Sequence, residues 1–112
     1  MAEWKCIVCN GSVVDGQLFT FIKGGPIHWS CLVKVINDKF NGRVPSDVLA
    51  VLTINRHIHE GIVVAKESEQ MTSDESIRQA ISSRRKLLEG EAAKLNVDML
   101  KLIESKYGIS IP

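Results

Sequence analysis

The sequence predicts an α+β chain, a small β-hairpin module at the N-terminus followed by helices, and three observations carry that expectation. Cys6-Ile7-Val8-Cys9 and His28-Trp29-Ser30-Cys31 form two close pairs of soft or borderline donors, eighteen residues apart. Between the pairs, the segment 12–23 has the alternation and the turn residues of short strands. After the second pair, apolar residues recur at helical spacing.

The spacing C-x2-C-x18-H-x2-C offers three thiolates and one imidazole, a full set for tetrahedral zinc, and it uses all three cysteines of the chain. Four protein ligands close a site, whereas a catalytic zinc keeps one position open for water. One structural Zn2+ per chain is therefore expected, held by Cys6, Cys9, His28 and Cys31. Glu3 nearby does not make a hydrolase without an open coordination position. The rival reading is a redox dithiol at Cys6 and Cys9. Such a motif sits where a strand opens into a helix, and here Asn10-Gly11 follows, a tight turn that favours positive φ. In a zinc knuckle that turn aims backbone N–H groups at the sulfurs. Met1-Ala2-Glu3-Trp4-Lys5 lacks the basic and apolar regions of a secretory signal, and one disulfide would strand a thiol, so a reducing cytoplasm is expected.

Trp4-Lys5 leads into the knuckle, Ser12 to Val14 is a short strand, and Asp15-Gly16 has the composition of a hairpin turn. Gln17 to Lys23 continues as a strand with Leu18, Thr20 and Ile22 on one face and Phe19 and Phe21 on the other, ended by Gly24-Gly25-Pro26. Leu32, Val35, Ile36 and Phe40 give a helix from about Trp29, so His28 and Cys31 sit at its first turn, where the positive helix end favours a thiolate. Trp4 and Trp29 are candidates for the apolar shell around the sulfurs. Knuckle, hairpin and ligands at a helix start describe a zinc treble clef over residues 1–45.

The remainder, 46–112, reads as a helical hairpin or bundle packed on that module. Ser46 is a candidate cap for a second helix reaching about Glu67, with Gly61 as a place to bend. Thr72 and Glu75 fit a capping box before a third helix from Ser73 to Leu95. Asn96 reads as the cap of a last short helix, with Gly108 just past its end. No run of about 18 apolar residues suggests a membrane span, and a net charge of +1 sets up no field toward nucleic acid or anionic lipid.

The spacing of Cys6, Cys9, His28 and Cys31, with Ile27 before the histidine, resembles the first zinc finger of a LIM domain over residues 1–40. It departs where a second finger would begin, because Leu32, Val33 and Lys34 stand in place of further cysteines. The whole chain also resembles a small archaeal family of zinc-binding proteins, through W-K-C-x-x-C, G-Q-x-F-T-F, I-H-x-x-C-L and I-V-x-A-K-E. That resemblance implies a fold and no activity.

No phosphate loop, HExxH, GxSxG or paired-carboxylate arrangement is present, so no enzyme is expected. A non-enzymatic module that binds another macromolecule, foremost a protein, is the leading reading. Val48, Leu49, Val51, Leu52, Ile54 and Ile58 cover most of the second helix and want a partner surface. Either two chains pair into a homodimer through the second and third helices, or the later helices fold back and cover the patch within one chain. Nucleic-acid binding is the alternative, through Lys23, Lys34, Lys39 and Arg43, with Arg84, Arg85 and Lys86 as a second basic cluster. A redox or metal-handling role ranks third. His57 and His59, two apart on a helix, point to different sides and read as surface or partly buried polar residues.

Overall fold

The computed structural model describes residues 4–14 and 16–112. Four short strands, β1 (Trp4–Lys5), β2 (Ser12–Val13), β3 (Phe19–Ile22) and β4 (Gly25–His28), precede three helices, α1 (Trp29–Lys39), α2 (Ser46–Met71) and α3 (Glu75–Tyr107). The fold is α+β, with the N-terminal strands packed on a long helical hairpin.

Strand pairing differs from the sequence expectation. β2 pairs with β1 rather than β3, and the hairpin is β3 with β4, in the register Phe19 to His28 and Ile22 to Gly25. Pro26 therefore lies inside a strand, opposite Phe21, instead of ending one. A two-stranded sheet leaves each strand an open edge where a missing N–H costs no ladder bond. Gly25 at the turn has φ +129°, a conformation that favours glycine. Asp15 of the expected Asp15-Gly16 turn, and Glu3, lie outside the described residues. The expected alternation in β3 holds in substance. Thr20 is buried and Phe21 is about half exposed, with Phe21 meeting Trp4 and Phe19 edge to face at 5.1 and 5.8 Å and Trp4 tilted against Phe19 at 6.1 Å.

α1 begins at His28 in the cap position and ends in a Schellman turn. Asn41 takes φ +52° there, Gly42 N–H donates to Asn37 O and Asn41 N–H to Asp38 O. Its inward face, Trp29, Leu32 and Ile36, is buried.

The two long helices run further than their sequence signals suggest. Pro45 and not Ser46 takes the cap position of α2, with no side-chain cap bond. The helix continues unbroken past Gly61, whose missing Cβ would meet only Leu88 at 3.6 Å. The expected capping box at Thr72 and Glu75 is displaced. Asp74 caps α3 by accepting from Ile77 N–H at 3.0 Å, and Thr72 Oγ1 accepts from Asp74 N–H instead. α3 then runs through Asn96 without a break to Gly108, which closes it at φ +64° as expected. Asn96 does not cap a helix because its side chain is engaged across the fold, accepting from Asn55 Nδ2 at 3.2 Å and donating to Phe21 O.

One core joins both parts of the chain. Ile27, Leu32 and Ile36 from the N-terminal module meet Val48 and Leu52 of α2, Leu100 and Ile103 of α3, and Ile111 of the C-terminal tail. Glu104 ties down that tail by accepting from Ile111 N–H at 2.9 Å. Val48, Leu52 and Ile58, half of the expected self-association patch, are thus covered within the chain. Val51 is half-buried, and Leu49 and Ile54 remain exposed. Tertiary packing within the chain thus covers half of the apolar patch and leaves the other half open. By length and composition α2 is apolar enough to cross a membrane, contrary to the sequence expectation. In the fold it packs on α3 and buries Asn55 and His59.

Beyond the core the hairpin continues as a two-helix arm in which no residue from 60 to 91 is fully buried. Arg85 bridges its two helices by donating to Glu69 at 2.8 Å, and it also donates to Glu89 on its own helix at 2.7 Å. Gly90 lies in this arm, and an added Cβ would meet nothing within 4 Å. Gly90→Ala should therefore raise stability by about 1 kcal/mol through helix propensity, read as a higher urea midpoint. An unchanged or lower midpoint would mean that the helix is not formed there.

Candidate metal centre

The knuckle is built by its turn. Cys6 N–H donates to Gly11 O and Asn10 N–H to Cys6 O, both at 2.9 Å, which folds Cys6 and Cys9 onto one side. Asn10 takes the positive φ, 60°, that the Asn-Gly pair suggested. Gly11 is needed for space, since a Cβ there would stand 3.3 Å from Cys9 Sγ. Ile7 N–H donates to Pro26 O at 3.0 Å, fixing the knuckle to β4, at whose end His28 sits. Cys31 follows in the first turn of α1.

These elements bring Cys6, Cys9, His28 and Cys31 together with all four ligand atoms within 4.8 Å of one another. His28 Nδ1 lies 3.3 Å from Cys9 Sγ and 3.9 Å from Cys31 Sγ. A tetrahedron with metal–sulfur bonds of about 2.3 Å and a metal–nitrogen bond of about 2.0 Å spaces such corners about 3.5 Å apart. The other ring nitrogen, Nε2, lies 2.9 Å from Ser12 O and 3.3 Å from Gln17 Oε1. A carbonyl oxygen can only accept, so Nε2 carries the proton and Nδ1 presents its lone pair to the sulfurs. This is the outer hydrogen bond that orients a metal-bound histidine.

The electrostatics of the donors fit a cation. Burial works to raise the Cys6 thiol, but N–H groups of Cys9, His28 and Val8 outweigh it and hold the group at about 6. Cys31 is pushed up to about 11, first by burial and then by the neighbouring Cys6 and Cys9. Burial, and after it the crowding of sulfurs, thus outweighs the helix end at Cys31 in the absence of a cation. Three thiols this close resist ionising together unless a positive charge sits among them. A metal held by these four residues would supply that charge and cross-link knuckle, β4 and α1.

The other sequence candidates scatter. Lys23, at the β3–β4 turn, pairs with Glu104 at 3.0 Å, and Arg85 is engaged by Glu69 and Glu89. Lys34 and Lys39 are exposed on α1, Arg43 in the following connector, and Arg84 and Lys86 on the α3 arm. Lys34 stands three residues beyond Cys31 on the same helix. Trp29 turns its ring to His59, centroids 5.7 Å apart, and Trp4 joins the outer aromatic trio.

Sequence reasoning missed a polar seam in the core. Asn55, His59 and Asn96 are at most 5 % exposed, and Asn55 Oδ1 and both His59 ring nitrogens have no partner among the described residues. The signal was available. Val48, Leu52, Asn55 and His59 follow one helical stripe, as do Ala92, Asn96, Leu100 and Ile103. Leaving a buried donor unmet costs on the order of 1–3 kcal/mol. Burial lowers the His59 pKa from its ordinary 6.5. As pH falls below 6.5 the unfolded chain therefore takes up that proton first, and stability declines until pH passes the lower folded value. Urea midpoints measured across that window should fall with acid, and His59→Phe should remove part of the slope. An identical slope in the variant would show that His59 does not contribute.

A small strand module that gathers a Cys3His group at the start of α1, and packs through its apolar core on a helical hairpin, is the class of protein these features define. The chain belongs to the family described as "Uncharacterized protein conserved in archaea (DUF2175)", whose model matches residues 2–101. No curated protein and no solved structure matches it.

Proposed function

We propose that the protein is a non-enzymatic zinc module of treble-clef type that holds a two-helix arm out toward a protein partner. The observation that supports zinc in a structural role is the donor set. Three sulfurs and an oriented imidazole complete four positions, leaving none for substrate water. The arm supports the partner reading, because Val64, Met71, Ile77 and Leu87 are each more than half exposed on it. Nucleic-acid binding is disfavoured by the carboxylates that engage Lys23 and Arg85.

Thiol titration tests the structural role. The three cysteines should react slowly until a strong chelator strips the metal, and immediate reaction of the loaded protein would point to metal handling or redox use instead. For the arm, a photo-crosslinker in place of Leu87 should capture a discrete protein in the source cytosol. Val64→Glu should abolish the capture without changing metal content. Retarded mobility of nucleic acid that weakens steeply with salt would favour the alternative.

A further inference from the structure

α3 carries an apolar heptad, Ile81, Leu88, Leu95 and Leu102, that spans about 32 Å of helix at 1.5 Å per residue. The stripe runs along a flank of α3 and is not absorbed by the core. Ile81, Leu88 and Leu95 are half-buried and Leu102 is 59 % exposed. Small residues border it on α2. Gly61, Ala65 and Ser68 share one side of that helix by their spacing, and a Cβ at Gly61 would meet Leu88 at 3.6 Å. Ile54, one of the α2 residues that the chain leaves exposed, lies seven residues before Gly61 on the same side. The two helices thus offer one shallow apolar face along an arm that has no fully buried residue from 60 to 91. A second helical hairpin laid on such a face completes a bundle core.

We infer that this face pairs with the same face of a second copy of the chain, the two α3 helices running antiparallel about an axis near Glu91. Charge selects both the partner and the direction. Arg84 and Asp98 lie seven residues either side of Glu91 and border the stripe. Both are exposed and neither makes an ion pair among the described residues. Antiparallel two-fold pairing brings Arg84 of each copy opposite Asp98 of the other, and sets Leu88 against Leu95. Glu91 falls near the axis, with Lys94 of the second copy alongside it. Parallel pairing would instead set Arg84, Glu91 and Asp98 each against its like, which is costly. A contact about 32 Å long and two helices, about 20 Å, wide covers roughly 600 Å² a side, the lower end of stable interfaces. The two metal modules then stand at opposite ends of the bundle. This names the partner of the arm and rests on the reading of the arm as a binding surface.

Sedimentation equilibrium of the metal-loaded protein should give about twice the 12.4 kDa of one chain. Leu102→Glu, at an exposed position, should return the mass to that of one chain with helicity and metal content unchanged. Arg84→Asp and Asp98→Arg should each raise the dimer dissociation constant about tenfold, because the two-fold axis turns two pairs repulsive at once. The double variant should recover most of the loss, since antiparallel pairing again sets opposite charges together. Its two changed residues are about 21 Å apart on one helix, so the recovery cannot arise within a chain. A mass of one chain at micromolar concentration overturns the inference. If Leu87 still captures a protein in that case, the partner reading of the arm stands without it. A dimer that Leu102→Glu leaves intact overturns it too, as does one that the single reversals weaken and the double variant does not restore.

Discussion

Cys31→Ser should lose the metal and unfold the N-terminal module, the largest effect expected of any single change. Apparent zinc-binding energies in small modules run about 10–16 kcal/mol at neutral pH, comparable with the whole stability of a domain, about 5–15 kcal/mol. The strands cannot compensate, because β1 and β2 are two residues each and β3 and β4 four. The damage should spread beyond them. Ile27, Leu32 and Ile36 cover Val48, Leu52, Leu100 and Ile103, so the near ends of α2 and α3 lose their packing as well. The expected spectrum has collapsed methyl dispersion for Ile27 and Leu32 and residual helicity from the arm. Native dispersion in a metal-free variant would show that ligation is incidental to the fold.

Leu32→Ala should cost about 2–5 kcal/mol, the range for emptying a buried leucine site. Leu32 is fully buried in α1, next in sequence to Cys31, and joins the metal module to both long helices. The ligands are untouched, so one metal per chain should remain at low denaturant while the urea midpoint falls. That separates packing from ligation. A midpoint within about 0.5 kcal/mol of the parent, the size of a neutral surface change, would mean that the module and the hairpin are not packed as described.

The ligand group was legible because metal geometry demands particular residues at particular separations, and Cys6, Cys9, His28 and Cys31 meet that demand without tertiary information. The helical stripes and the Gly108 stop were legible for the same local reason. Strand pairing was not. Asp15-Gly16 and Gly24-Gly25 both have turn composition, and which one closes a hairpin depends on where the knuckle docks, through Ile7 N–H on Pro26 O. Asn96 is a residue that often caps helices, and nothing local reveals that its amide is taken by Asn55 and by the Phe21 carbonyl. The surplus apolar surface of α2 was visible, but which part of it the chain itself covers was not, because Ile27, Leu32 and Ile36 could not be placed against Val48 and Leu52 from the sequence.

X-ray absorption at the zinc edge, on protein with its metal-to-chain ratio measured, tests the closed metal site most directly. The expected result is one zinc per chain with three sulfurs at about 2.3 Å, one nitrogen at about 2.0–2.1 Å and no oxygen ligand. Protein purified without chelators that carries no metal, a disulfide among Cys6, Cys9 and Cys31, or a coordinated water in place of one protein ligand would contradict it.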